Sequence, residues 1–186
     1  MIPHRILLVD DDPNILNALR RALGTKVSDG CTTFEIDIEL FDLPEAALSR
    51  AREMKFDLVM SDFRMPIMDG VSFLKSFRAL QPDAARLILS GFTDQEGLVG
   101  AINDAQIYRF INKPWQQYEL SVTIAQALAY NNLLQENQRM ADVVRVQQGK
   151  LSLQEVELRR LEKENPGITQ VNWGPNGEVL LDEHAL

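Results

Sequence analysis

The chain has 186 residues, 45% of them hydrophobic, and a formal net charge of −8, which leaves room for one domain of about 100 to 150 residues with an appendage. No apolar run approaches the ~20 residues that a membrane-crossing helix needs, and an acidic balance with no Lys/Arg cluster argues against direct nucleic-acid binding through the phosphate backbone. Cys31 is the only cysteine, so no internal disulfide can form, and Pro3, His4 and Arg5 lead into a strand-length apolar run rather than a secretory signal. The expected location is a reducing cytoplasm.

Residues 1–125 alternate short apolar runs with helix-period segments, the pattern of a βα repeat with a mostly parallel sheet. The first strand, over 5–9, contains Ile6-Leu7-Leu8-Val9 and ends in Asp10-Asp11-Asp12. Asp12 and Pro13 read as the N-cap and first position of a helix over 13–23. A strand over 33–41 alternates Phe34, Ile36, Ile38 and Leu40 with Thr33, Glu35, Asp37 and Glu39, as a half-exposed edge strand does. After a helix over 44–54, a strand over 57–61 carries Leu58-Val59-Met60 and delivers Asp62, the start of Asp-Phe-Arg-Met-Pro-Ile-Met-Asp-Gly. Asp69-Gly70 reads as a turn into a helix over 71–80, with Gly70 suited to a positive φ. A strand over 86–90 ends at Ser90, a helix follows over 94–104, and a fifth strand over 107–111 runs into Asn112-Lys113-Pro114. The expected fold is α/β, a five-stranded doubly wound parallel sheet, whose crevice at the carboxyl ends of the strands is where ligands bind. Two of those ends deliver carboxylates, which suggests a cation site.

From Trp115 an apolar-periodic segment runs without proline to Pro166. As one helix of ~48 residues it would be about 70 Å long. Leu133, Asn137, Met140, Val144, Gln147, Leu151, Gln154, Leu158 and Leu161 follow a 4,3 spacing, a plausible coiled-coil seam. Gly149 weakens that helix by about 1 kcal/mol relative to alanine, so the expectation is a modest dimer or a break near residue 149. An amphipathic helix folding back on its own domain is the alternative. Beyond Pro166-Gly167, residues 168–173 and 178–181 flank Gly174-Pro175-Asn176-Gly177, a hairpin signal. The organisation read is a first domain over 1–125, a helical extension over 126–165 and a hairpin-like tail over 166–186. His4 and His184 have no companions and read as solvated.

Five separated elements, Asp10-Asp11, the segment from Asp62 to Gly70, Ser90, Phe110 and Lys113-Pro114, stand in an order that resembles the receiver domain of bacterial two-component response regulators, over residues 5 to about 125. The resemblance implies a flavodoxin-like sheet and makes Asp62 the phospho-acceptor, with a sensor histidine kinase or phosphotransfer protein as the donor. It also implies Mg²⁺ held by Asp11 and Asp62 directly, by Asp10 largely through water and by the backbone carbonyl of Arg64. Lys113 and Ser90 would contact the transferred oxygens, and Phe110 would be the aromatic switch. Tyr108 is its rival, on the assumption that it lies on the same strand face.

Physical chemistry supports the cation independently, since two carboxylates about 4 Å apart repel by about 4 kcal/mol at an effective dielectric near 20. Mg²⁺ suits such a site, being hard, octahedral and satisfied by a few carboxylates with water. Residues after 125 carry no basic recognition helix, no phosphate-binding glycine loop and no paired-histidine metal motif. The expected role is therefore non-enzymatic signalling through a homodimer or a protein partner. The alternative is the regulatory part of a larger enzyme, such as a cyclic-nucleotide synthase or phosphodiesterase.

Overall fold

Strands that are apolar on both faces belong at the centre of a sheet covered by helices on each side. In the computed structural model, which describes residues 3–91, 105–149 and 151–164, the elements in chain order are β1 (His4–Val9), α1 (Pro13–Leu23), β2 (Lys26–Ser28), β3 (Thr33–Phe41), α2 (Pro44–Glu53), β4 (Leu58–Asp62), α3 (Gly70–Leu80), β5 (Ala85–Ser90), β6 (Arg109–Asn112), α4 (Gln117–Gln147) and α5 (Leu153–Glu164). The sheet order is β2-β3-β1-β4-β5-β6, with every pair parallel except β2 with β3.

The doubly wound α/β arrangement is as expected, and the central strands alternate between two cores. Ile6, Leu8, Leu58, Met60, Leu87 and Leu89 face α1 and α4, packing on Leu19, Leu23, Ile124 and Leu128. Leu7, Val9, Val59 and Ile88 face α2 and α3, packing on Leu48, Phe73 and Phe77. From β1 the chain goes to β3 on one side and then crosses to β4 on the other. The topological switch therefore lies between the carboxyl ends of β1 and β4, where a crevice opens.

The sheet has six strands rather than five. The long connection after α1 contains β2, which pairs antiparallel with β3 through Lys26 with Glu35, Val27 with Phe34 and Ser28 with Thr33. Thus β3 is not the edge. Its alternation survives because Phe34 and Ile36 are buried while Thr33, Glu35 and Asp37 are exposed. The final strand starts at Arg109, later than expected, because Gln106 adopts a φ of 49° and the chain there is not extended. The helix expected over 94–104 and the hairpin expected over 168–181 lie outside the described residues.

The first half of α4 completes the fold. Leu120, Thr123, Ile124, Ala127, Leu128 and Asn131 are buried, and Asn131 Nδ2 donates to the Asp57 carbonyl at 3.1 Å. Ser121 Oγ accepts from the Ser28 amide at 3.0 Å, tying α4 to β2. No helix among the described residues is long and apolar enough to cross a membrane.

The continuous helix to Pro166 does not form, and the break falls near 149 as one of the two expectations had it. Gly149 has a φ of 68°, a left-handed stop that glycine accepts without strain. A new helix then starts on a reciprocal cap: the Ser152 amide donates to Glu155 Oε2 at 2.7 Å, and the Glu155 amide donates to Ser152 Oγ at 3.1 Å.

Candidate functional site

Four strand ends meet at the crevice. Asp10 and Asp11 follow β1, Asp62 closes β4, Ser90 closes β5, and Lys113 follows β6. Backbone hydrogen bonds continue the sheet past these ends, from the Asp10 amide to the Phe41 carbonyl at 3.2 Å, from Phe63 to Leu89 at 2.8 Å and from Lys113 to Ser90 at 2.8 Å. Asp10, Asp62, Ser90 and Lys113 are therefore tied to the sheet, at the strand ends or one residue beyond them.

The Lys113 ammonium bridges the two buried acids, with Nζ 2.8 Å from Asp10 Oδ2 and 2.5 Å from Asp62 Oδ1. The other oxygen of each carboxylate is held by an amide of its own loop: Asp12 N–H donates to Asp10 Oδ1 at 2.9 Å, and Arg64 N–H to Asp62 Oδ2 at 3.0 Å. Asp10 is only 1% exposed, and burial pushes its carboxyl up further than the Lys113 ammonium and the Asp12 amide pull it down. Burial alone would lower the Lys113 ammonium, but hydrogen bonds and charge from Asp10 and Asp62 outweigh it and hold the group above the usual lysine range.

Asp10, Asp11 and Asp62 each bring a carboxylate oxygen within 4.8 Å of the others, with Asp11 exposed and the other two buried. One exposed acid and two buried ones form an acidic pocket open on one side, a donor set that fits a hard divalent ion keeping part of its water shell. A second observation fits an incoming oxyanion. Ser90 is fully buried, yet its Oγ finds no hydrogen-bond partner among the described residues. The Asn112 Oδ1 is likewise unpartnered and stands directly across from Ser90 in the β5–β6 register. Buried polar atoms are rarely left unpaired, so these two stand out as open hydrogen-bonding positions at the crevice.

The remaining expected residues fall as follows. Asp12 caps α1, its Oδ1 accepting from the Asn14 amide at 2.8 Å. Asp69 caps α3 through the Ser72 amide at 2.9 Å. Gly70 is required for a reason other than the one expected: it has no positive φ, but a Cβ there would lie 1.9 Å from the Asp62 carbonyl oxygen. Phe110 is 42% exposed. By strand alternation it shares a face with Ser90, opposite Ile111, which packs into the core under α4. Tyr108 does not share that face. It precedes the strand and turns to the α4 side, where its ring lies 5.4 Å from that of Tyr130. His4, expected to be solvated, is partly buried and has Nδ1 3.3 Å from Asp57 Oδ2.

Sequence reasoning missed Arg86. It is 6% exposed at the start of β5, and its guanidinium donates to the carbonyls of Ala105, Gln106, Pro82 and Ala84. The available signal was a charge inside the apolar run Ala85-Arg86-Leu87-Ile88-Leu89.

A family profile described as the response regulator receiver domain matches residues 6–126. The hydrogenase transcriptional regulatory protein HoxA of Bradyrhizobium diazoefficiens is 37% identical over 133 residues, covering 72% of this chain and 26% of that protein. The transcriptional regulatory protein ZraR of Escherichia coli K12 is 35% identical over 130 residues, covering 68% of this chain and 27% of its own length. The chain thus spans about a quarter of the length of these curated relatives. Among solved structures, one titled as adenylate cyclase from Rhodopirellula baltica superposes with a TM-score of 0.67 at 30% identity, covering 76% of this chain and 98% of that one.

Proposed function

This chain belongs to the response regulator receiver domain family, and on that premise we propose that Asp62 accepts a phosphoryl group from a phosphohistidine on a sensor histidine kinase or phosphotransfer protein. One observation carries the reading: Lys113 Nζ lies within 2.8 Å of both Asp10 and Asp62 at the same strand ends where a buried Ser90 hydroxyl has no partner among the described residues. The acids and the ammonium are already arranged around the point of attack, so little reorganisation is needed.

An Asp62 carboxylate oxygen forms the new O–P bond as the N–P bond of the phosphohistidine breaks, and the imidazole nitrogen leaves with the electron pair. The Lys113 ammonium donates to one transferred oxygen and the Ser90 hydroxyl to another. Asp10, Asp11, Asp62 and the Arg64 carbonyl would hold Mg²⁺, which when bound neutralises charge on the transferred oxygens. The Arg64 amide fixes the rotamer of Asp62 throughout. Phe110 reads the outcome, since it shares its strand face with Ser90 and has room to move at the surface.

For output we propose protein contacts in the cytoplasm, through a homodimer on the outer half of α4 or through a partner, rather than direct nucleic-acid contact. The seam residues Leu133, Met140 and Val144 are all about half exposed or more, at 58%, 58% and 49%, and the net charge of −8 opposes DNA. We propose 1–125 as the receiver, 126–165 as a helical extension and 166–186 as a tail. A second reading, the regulatory part of a larger enzyme such as a cyclic-nucleotide synthase or phosphodiesterase, draws on the likeness to the structure titled adenylate cyclase.

The test is phosphoryl incorporation from acetyl phosphate with Mg²⁺, read by intact mass on wild type, Asp62→Ala and Lys113→Ala. Incorporation in wild type, none in Asp62→Ala and a strongly slowed rate in Lys113→Ala are expected. Incorporation that persists in Asp62→Ala would defeat the assignment. Light scattering with and without beryllofluoride then separates a dimer switch from a partner-only output.

A further inference from the structure

The four carbonyls around Arg86 belong to two different places in the chain. Arg86 Nη1 takes Pro82 at 3.1 Å and Ala84 at 2.7 Å, the residues leading into β5. Its Nε takes Ala105 at 2.9 Å and Gln106 at 3.3 Å, the residues leading towards β6. One buried guanidinium therefore fastens the feet of two adjacent strands together. A leucine or methionine would fill such a place without the desolvation that a buried cation incurs, so the charge there answers a geometric need. Only the fixed fork of a guanidinium supplies several donors in one plane.

What the fork holds is significant. Gln106 takes a φ of 49°, uncommon for a residue with a Cβ. Its carbonyl accepts from Arg86, and two residues later the Tyr108 amide donates to the Arg86 carbonyl at 2.8 Å. That pair of bonds sets where Tyr108 leaves the backbone, and hence its tilted ring contact with Tyr130 at the root of the exposed half of α4. It also sets where β6 begins, and hence the position of Phe110. A groove of about 800 Å³ lies beside Arg86, Tyr108, Tyr130 and Leu134.

Arg86 and Ser90 stand four residues apart on one face of β5, with the fully buried Ile88 between them. At about 3.3 Å per residue their separation is about 13 Å. The strand thus carries at its carboxyl end a hydroxyl with no partner among the described residues and a fork at its amino end, and the chain that leaves after Ser90 returns to that fork at Ala105 and Gln106. We propose that Arg86 is a positioning residue: by fastening the Ala105 and Gln106 carbonyls to the foot of β5, it makes a change at the Ser90 end reach Tyr108, Phe110 and the root of α4. It takes no part in the transfer itself. The inference rests on Asp62 being the acceptor only for what happens at Ser90.

The experiment uses the full chain as wild type, Arg86→Met, Arg86→Lys and Leu23→Ala, the last loosening the core under α1 and α4. Phosphoryl incorporation from acetyl phosphate with Mg²⁺ reports the acceptor. Hydrogen exchange of 105–112 and 117–134, with and without beryllofluoride and Mg²⁺, reports the coupling. Arg86→Met is expected to incorporate as wild type does, while its beryllofluoride-dependent change in exchange falls about fivefold, the size of effect one side chain on such a route produces. Arg86→Lys recovers part of the change, and Leu23→Ala lowers protection overall while keeping the difference. A wild-type difference in Arg86→Met overturns the proposal, as does an equal loss in Leu23→Ala, which would reduce Arg86 to a stability role. If Arg86→Met does not fold, Arg86→Lys decides by the same readouts. Absence of incorporation in wild type defeats the acceptor reading instead, and this proposal with it.

Discussion

Gly70 is fixed by its neighbour rather than by its own backbone angle. A Cβ there would lie 1.9 Å from the carbonyl oxygen of Asp62, 2.9 Å from its carbonyl carbon and 3.1 Å from Phe63 Cα, all backbone atoms that cannot swing aside. Gly70→Ala is therefore expected to destabilise by about 1–3 kcal/mol, the range for forced overpacking, in urea titrations, and to slow phosphoryl incorporation because the displaced residue is the acceptor itself. Asp57 makes a different point. Burial pushes its carboxyl up, but the His4 imidazole, the Arg5 amide at 2.9 Å and the Lys55 charge together hold it below the usual carboxylate value. A carboxylate with a lowered folded pKa stabilises above its unfolded pKa of about 3.9, and that stability is lost as pH falls through the folded value. Urea midpoints measured below about pH 4 should fall less steeply in Asp57→Asn than in wild type; equal slopes would remove Asp57 from the acid limb.

Among the elements, the break after α4 has two independent parts, a left-handed Gly149 and the Ser152–Glu155 cap. Ser152→Ala removes the hydroxyl that accepts from the Glu155 amide and donates to Glu155 Oε2 at 2.9 Å, and is expected to weaken α5 by about 1 kcal/mol, as cap loss does, seen as reduced helicity by circular dichroism of the full chain. The central strands, Asp62 at its strand end and the Asp12 cap were legible in sequence because burial on both faces, period two and cap chemistry leave marks of several residues each, whereas Asp69 was read only as a turn into the helix. Strand β2 was not legible, since three residues, Lys26-Val27-Ser28, carry too little pattern to show a period. The face of Tyr108 was misjudged for a related reason: alternation was extended past Arg109 into a stretch where Gln106 turns the backbone. Arg86 went unread because its partners are carbonyls, and carbonyls leave no trace in side-chain spacing.

At the scale of the whole molecule, an apolar stripe on the outer half of α4 remains exposed among the described residues once the two cores are filled. Met140 and Val144 are 58% and 49% exposed on that stripe, and in the dimer reading they would meet a second copy at successive seam positions. The double variant Met140→Glu with Val144→Glu is expected to sediment as a monomer at all concentrations while still incorporating a phosphoryl group at Asp62. Association unchanged in that variant would move the contact elsewhere. The short strand β2 bears on where elsewhere is not. It lies along the first residues of β3 and brings a Lys26–Glu35 ion pair at 3.2 Å to that rim, while Asp37 stands exposed just beyond. A second sheet adding itself there would meet a rim already taken at one end and set acid against acid at the other. Open strand edges are the usual seed of fibrils, and this rim of the sheet is shaped against such continuation, which in the dimer reading leaves self-association to a helix that can let go.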